Sequence, residues 1–182
     1  MPLNNIRILS TKPLPQTIIV NAAEKGLAID AESFIQTEAV NSKEVIDEIQ
    51  SLVTKKITAI FTSTKGVEAV IAQLSSKPDW KIFCMGGATK ELVSQFFGTK
   101  AIVATARDAE SLANKIIVNK NTEEPVFFCG DQRLDTLPET LTASGLALKE
   151  LIVYTTVYTP KLIQKNYDGV VFFSPSAVHS FF

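Results

Sequence analysis

The chain has 182 residues, 46% of them hydrophobic and 20% charged, and carries a formal net charge of −1. That length suits one large or two small domains, and the composition is that of an ordinary globular protein. A broad nucleic-acid surface would need a basic excess, so any anionic ligand must be held by local donors and not by the global field.

The amino-terminal stretch MPLNNIRILS lacks a basic region followed by an apolar run, so no signal peptide is expected. Apolar runs throughout are strand-length, too short to span a bilayer. Residues 6–11 form a β-branched run ending at Pro13. The following LPQTIIVNAAEKG reads as a helix with Gly26 just past its end. Residues 34–40 alternate and are extended. Asn41 with Glu44 has the spacing of a capping box, and Val45, Ile46, Ile49, Leu52 and Val53 then make an amphipathic stripe. Strands are predicted at 57–62, 81–85, 101–104, 125–129 and 147–153, with helices at 64–75, 87–97, 108–119 and 134–144. Strand and helix in alternation predict a parallel sheet covered on both faces. Residues 150–160 are too long for one buried strand and turn polar halfway. They suggest an exposed ribbon paired with 34–40.

The fold expected is therefore α/β: two three-layer, parallel-sheet lobes of flavodoxin-like kind, joined by a two-stranded ribbon. The lobes are 1–33 plus 160–182 and 41–152, with 34–40 and 153–159 as the ribbon. One strand-to-helix corner occurs twice: Phe61-x-Ser63-Thr64-Lys65-Gly66-Val67 lies over Phe172-x-Ser174-Pro175-Ser176-Ala177-Val178. The first lobe is expected to be incomplete, because a lobe below about 60 residues buries little surface. Val171, Phe172, Phe173, Phe181 and Phe182 should be partly uncovered, and the chain is read as less than a whole natural protein.

In open parallel sheets ligands sit beyond the carboxyl ends of the strands. This sequence places Thr11-Lys12-Pro13, Thr62-Ser63-Thr64-Lys65-Gly66, Gly86-Gly87-Ala88-Thr89-Lys90, Thr105-Ala106-Arg107-Asp108, Gly130-Asp131-Gln132-Arg133 and Ser174-Pro175-Ser176 there. Each small or hydroxylated turn precedes a helix whose first N–H groups have no helical acceptor. The plain alternative is that each Ser, Thr or Asp is simply a helix cap. An anion is expected against the backbone at 62–66, 86–90 and 130–133. No dinucleotide, phosphate-loop or nucleophile-elbow motif occurs. Cys84 and Cys129 each close an apolar run and are read as reduced, buried thiols of a cytosolic protein. His179, the only histidine, is read as a surface or cap residue.

These same segments resemble the uroporphyrinogen-III synthase family. IFTSTKGVEAV, CMGGATKELV, ATARDAESLANKI, FFCGDQRLDTLPETLTASGLALKELIVYTT and FFSPSAV are similar to that family's segments, in the family's order. The resemblance implies two lobes with the active site between them, and cyclisation of the linear tetrapyrrole hydroxymethylbilane with loss of water and inversion of ring D. It implies no metal or organic cofactor and a small-molecule tetrapyrrole partner. No nucleic-acid partner is expected from the charge, no membrane partner from the short apolar runs, and a monomer is expected. Tyr154 matches the family's ribbon tyrosine, which assists departure of the hydroxyl. Ser63, Thr89, Ser174 and Ser176 match its cleft-facing turns, and Thr11, Lys12, Thr62, Thr64, Lys65, Gly86, Gly87, Ala88, Gly130, Asp131, Arg133 and Pro175 in the same corners are expected to bind substrate with them. The sequence departs from the family at Lys12 and at Leu134, where arginine is common. The family also continues beyond its Ser-Pro-Ser. Two other readings stand beside this one: a non-catalytic bilobal module for small anions, and a flavin protein. The latter would need an aromatic at the ligand end of the sheet, whereas Trp80 precedes a strand.

Overall fold

The computed structural model of the chain describes residues 6–119 and 122–182. Residues 1–5 of the first expected lobe lie outside the described residues. The chain divides into two compact units, Met1–Thr37 with Thr156–Phe182, and Glu38–Thr155.

In the larger unit the apolar runs TAIF and PVFFCG become β4 (Thr58–Phe61) and β7 (Pro125–Gly130), and every residue of both is buried. Burial on both faces is what near-continuous hydrophobicity requires. β5 (Lys81–Met85) and β6 (Ile102–Ala106) continue the sheet on one side, and β8 (Lys149–Tyr158) lies on the other. With β3 (Ile35–Ala39) the order is β3-β8-β7-β4-β5-β6. The neighbours from β8 to β6 are parallel.

Two cores cover this sheet. α2 (Lys43–Leu52), α3 (Thr64–Gln73) and α4 (Ala88–Phe97) bury Ile49, Leu52, Val67, Val70, Val93 and Phe97 on one side. α5 (Ala109–Ile117) and α6 (Thr136–Ala143) bury Leu112, Ile116, Leu137 and Leu141 in the second core. Trp80 belongs to the first core. It is 2% exposed, stacks on Phe128 and Phe97, and donates from its indole N–H to the Leu52 carbonyl at 3.0 Å.

Several sequence expectations are corrected. The α2 cap is Ser42, whose hydroxyl accepts from the Val45 N–H at 3.4 Å. Asn41 instead accepts from the Gln73 amide at 2.7 Å. β8 is one unbroken strand, not a buried strand followed by a separate ribbon. Its far half pairs with β3: the Val40 N–H donates to Val153 and the Thr159 N–H to Phe34, both at 2.9 Å. One index falls as the other rises, so this pair is antiparallel.

The smaller unit has three parallel strands in the order β2-β1-β9: β1 (Ile6–Ser10), β2 (Leu27–Ala31) and β9 (Gly169–Val171). β2 had no counterpart among the expected strands. α1 (Gln16–Ala23) and α7 (Pro175–Phe181) complete it. Its buried apolar side chains, among the described residues, are Leu9, Ala22, Phe34 and Ala177. Phe34 and Phe172 both meet Phe181 edge-on, at 5.0 and 5.3 Å. Val171 and Phe173 are about half exposed, Phe182 is 92% exposed, and Phe172 and Phe181 are half-buried. Among the described residues no helix is long and apolar enough to cross a membrane.

Candidate active site

The strand order places a topological switch between β4 and β7. After β4 the chain turns into α3 over one core, and after β7 into α6 over the other. Helices that diverge in this way open a crevice at the carboxyl edge of the sheet, where α/β proteins take their ligands. Thr62–Lys65 and Gly130–Arg133 flank this point, and Gly86–Thr89 follow β5, the next strand along.

Tyr154 joins this edge through an irregularity in β8. Cys129 is in register with Ile152, but Gly130 is in register with Tyr154. The extra residue is Val153. Successive side chains of a regular strand point to opposite faces, yet Val153 and Tyr154 both pack on the first core. A bulge of this kind re-aims a side chain. It lays the Tyr154 ring over Gly130 so closely that a Cβ at position 130 would stand 2.5 Å from the ring. The ring is half-buried, and its phenol has no hydrogen-bond partner among the described residues. The Tyr154 carbonyl accepts from the Asp131 N–H at 3.2 Å, fixing the turn to the strand.

The hydroxylated turns also serve as caps. Ser63 accepts from the Lys65 N–H at 3.1 Å, and Ser174 accepts from the Ala177 N–H at 3.1 Å. Capping uses a lone pair and leaves the O–H able to donate. Lys65 is ion-paired with Glu68 at 2.7 Å. Arg133 is held by Glu150 and by Asp135, so its charge is shared within the protein. Thr89 is buried. Gly87 differs from the other turn residues: it stands before α4 at φ 66°, ψ −136°, and no side chain caps the helix. That backbone region is open in practice to glycine alone. The first helical bond there is from Glu91 to Gly87 at 3.1 Å. The N–H groups of Ala88, Thr89 and Lys90 therefore have no carbonyl of their own helix to reach.

In the smaller unit Thr11, Lys12 and Ser174–Ser176 lie at one edge of the three-stranded sheet. Thr11 is spent on β9, donating to the Val171 carbonyl from its N–H at 3.0 Å and its hydroxyl at 3.1 Å. The Lys12 ammonium lies 6.0 Å from the Phe173 ring centroid. His179 is exposed on α7.

Burial pushes both the Cys84 and Cys129 thiols up to about 11, so neither is a ready nucleophile. Among the described residues no group of three or more His, Cys, Asp or Glu could hold a metal ion. Sequence reasoning missed the contact of Tyr154 with Gly130. A glycine closing the buried strand β7 was its only signal.

Fold and edge together define a doubly wound α/β protein whose strand edge carries backbone N–H groups, hydroxyls and a phenol without a hydrogen-bond partner among the described residues. The chain belongs to the uroporphyrinogen-III synthase HemD family, whose model matches residues 17–182. It is similar in fold to the uroporphyrinogen III synthase of Thermus thermophilus, at 15% identity and TM-score 0.60, over 84% of this chain and 63% of that one. It is also similar to uroporphyrinogen-III synthetase of Helicobacter pylori, at 11% identity and TM-score 0.62, over 97% of this chain and 76% of that one. The chain thus spans less than two thirds of the Thermus protein's length.

Proposed function

We propose that the chain acts as a uroporphyrinogen-III synthase, a hydro-lyase that closes hydroxymethylbilane into uroporphyrinogen III with loss of water and inversion of ring D. The substrate carries its own leaving hydroxyl and eight carboxylates, so little chemistry is left to the protein. Its task is to hold the chain so that the substituted end of ring D attacks in place of the free end. That is catalysis by positioning.

The observation that carries this reading is the unpaired Tyr154 phenol, held on a bulge against Gly130 at the strand edge. It donates to the departing hydroxyl and so stabilises the charge that develops there. The O–H groups of Thr62, Ser63 and Thr64 and the N–H groups of Gly87, Ala88 and Thr89 are donors suited to carboxylates. Gly87 lets a ligand approach the backbone, since the space a Cβ would take there has nothing within 4 Å. Lys65 and Arg133 take a smaller part, since each already has an acid partner. Thr11, Lys12, Ser174, Pro175 and Ser176 offer the same kind of turn in the smaller unit. The reaction needs no metal or organic cofactor, and a cytosolic monomer is sufficient for it.

The test is the rate at which hydroxymethylbilane disappears. The reading expects saturable consumption above the spontaneous rate, inhibited by uroporphyrin III, the oxidised form of the product ring. A chain that binds uroporphyrin III without accelerating consumption is instead a non-catalytic anion-binding module.

A further inference from the structure

A cavity of about 710 Å³ lies at the carboxyl ends of β5 and β6. Lys90, Arg107 and Lys115 line it, and Asp108 is its one carboxylate. Three cations against one anion is an unusual balance in a chain whose net charge is −1.

The carboxylate is already committed. Asp108 caps α5, accepting from the Ser111 N–H at 2.7 Å and the Ser111 hydroxyl at 3.0 Å. Those bonds hold its carboxyl below the usual range. Lys115 reaches back to the Thr105 carbonyl at 2.6 Å, which anchors the ammonium without neutralising it. Lys90 and Arg107 make no hydrogen bond or ion pair among the described residues. The cavity also receives the uncapped start of α4, and the space a Cβ of Gly87 would enter has nothing within 4 Å. Cations without acid partners among the described residues, an open cavity and N–H groups with no helical acceptor are features suited to an oxyanion.

We infer that this cavity is an oxyanion subsite in which Lys90 and Arg107 grip one side-chain carboxylate of the tetrapyrrole. The carboxylate source rests on the reading given under Proposed function. Arg107 is a binding residue here, and its planar fork matches a carboxylate's two oxygens.

The test is calorimetric titration of the full chain with uroporphyrin III, together with amide NMR titration with inorganic phosphate. The variants are Lys90→Gln, Arg107→Gln and Arg107→Lys, with Lys55→Gln as a control outside the cavity. Lys90→Gln and Arg107→Gln should each raise the Kd for uroporphyrin III by about fivefold or more, the scale of a charge-assisted bond. Arg107→Lys should recover part of the loss, and the control should bind like the parent. Added salt should weaken the parent more than it weakens the two glutamine variants. If both variants bind uroporphyrin III as tightly as the parent, the subsite is wrong while the tetrapyrrole reading survives. If the parent ignores uroporphyrin III, yet phosphate moves the amides of residues 86–90 and 105–108 and Arg107→Gln abolishes the movement, the oxyanion site stands and the tetrapyrrole reading falls. No response to either probe overturns both.

Discussion

Gly130 and Tyr154 constrain one another. The bulge that brings them into register leaves no room for a side chain at 130, because the nearest ring atoms would be 2.5 and 2.6 Å from it. Gly130→Ala should therefore push the phenol off its place, at a stability cost of about 1–3 kcal/mol from overpacking. Its turnover should fall to the level of Tyr154→Phe, measured as initial rate at saturating hydroxymethylbilane. Tyr154→Phe keeps the ring's packing and removes only the donor. Its kcat should drop on the order of a hundredfold, the scale of a lost general acid, while affinity for uroporphyrin III barely changes. A donor to a departing hydroxyl matters most in the transition state. Equal losses in rate and affinity would assign Tyr154 to packing.

At the scale of elements, the buried strands were legible because they carry their own signature. TAIF and PVFFCG are apolar throughout, and both are buried at every position. The helices behind them were legible from their apolar spacing and, for α3 and α5, from the caps Ser63 and Asp108. What escaped was set by tertiary pairing. β2 has a mixed sequence, LAIDA, and becomes a strand because β1 lies beside it in parallel register. β8 runs on past its polar midpoint because β3 supplies the next hydrogen bonds. Among the candidate site residues, the turns could be read from glycines and hydroxyls, but the Tyr154 bulge, and the lack of acid partners at 90 and 107 among the described residues, depend on neighbours distant in sequence. α3 offers a test of how tightly helix and sheet are matched. A Cβ on Gly66 would stand 3.0 Å from the Phe128 carbonyl oxygen, on a wholly buried strand that has nowhere to retreat. Gly66→Ala gains about 1 kcal/mol of helix propensity against about 1–3 kcal/mol of overpacking. The net expectation is a loss, read as a lower urea midpoint at unchanged slope.

At the scale of the whole chain, the two units differ in what they bury. The larger has two continuous cores, one on each side of its sheet. The smaller rests on Leu9, Ala22, Phe34 and Ala177, with Phe172 and Phe181 half-covered. Local stability follows buried apolar contact, so amides of β1, β2 and β9 should exchange at least about tenfold faster than those of β4 and β7. Equal protection in both sheets would contradict that ranking. The central claim, that the edge of the larger sheet directs ring closure through the inverted ring D, is tested most directly by the identity of the product. Hydroxymethylbilane is incubated with the full chain, and the porphyrin obtained on oxidation is resolved into its type I and type III isomers. The account predicts a type III excess over the protein-free control, lost in Tyr154→Phe as spontaneous closure through the free end takes over. An isomer ratio identical with and without the chain would contradict it.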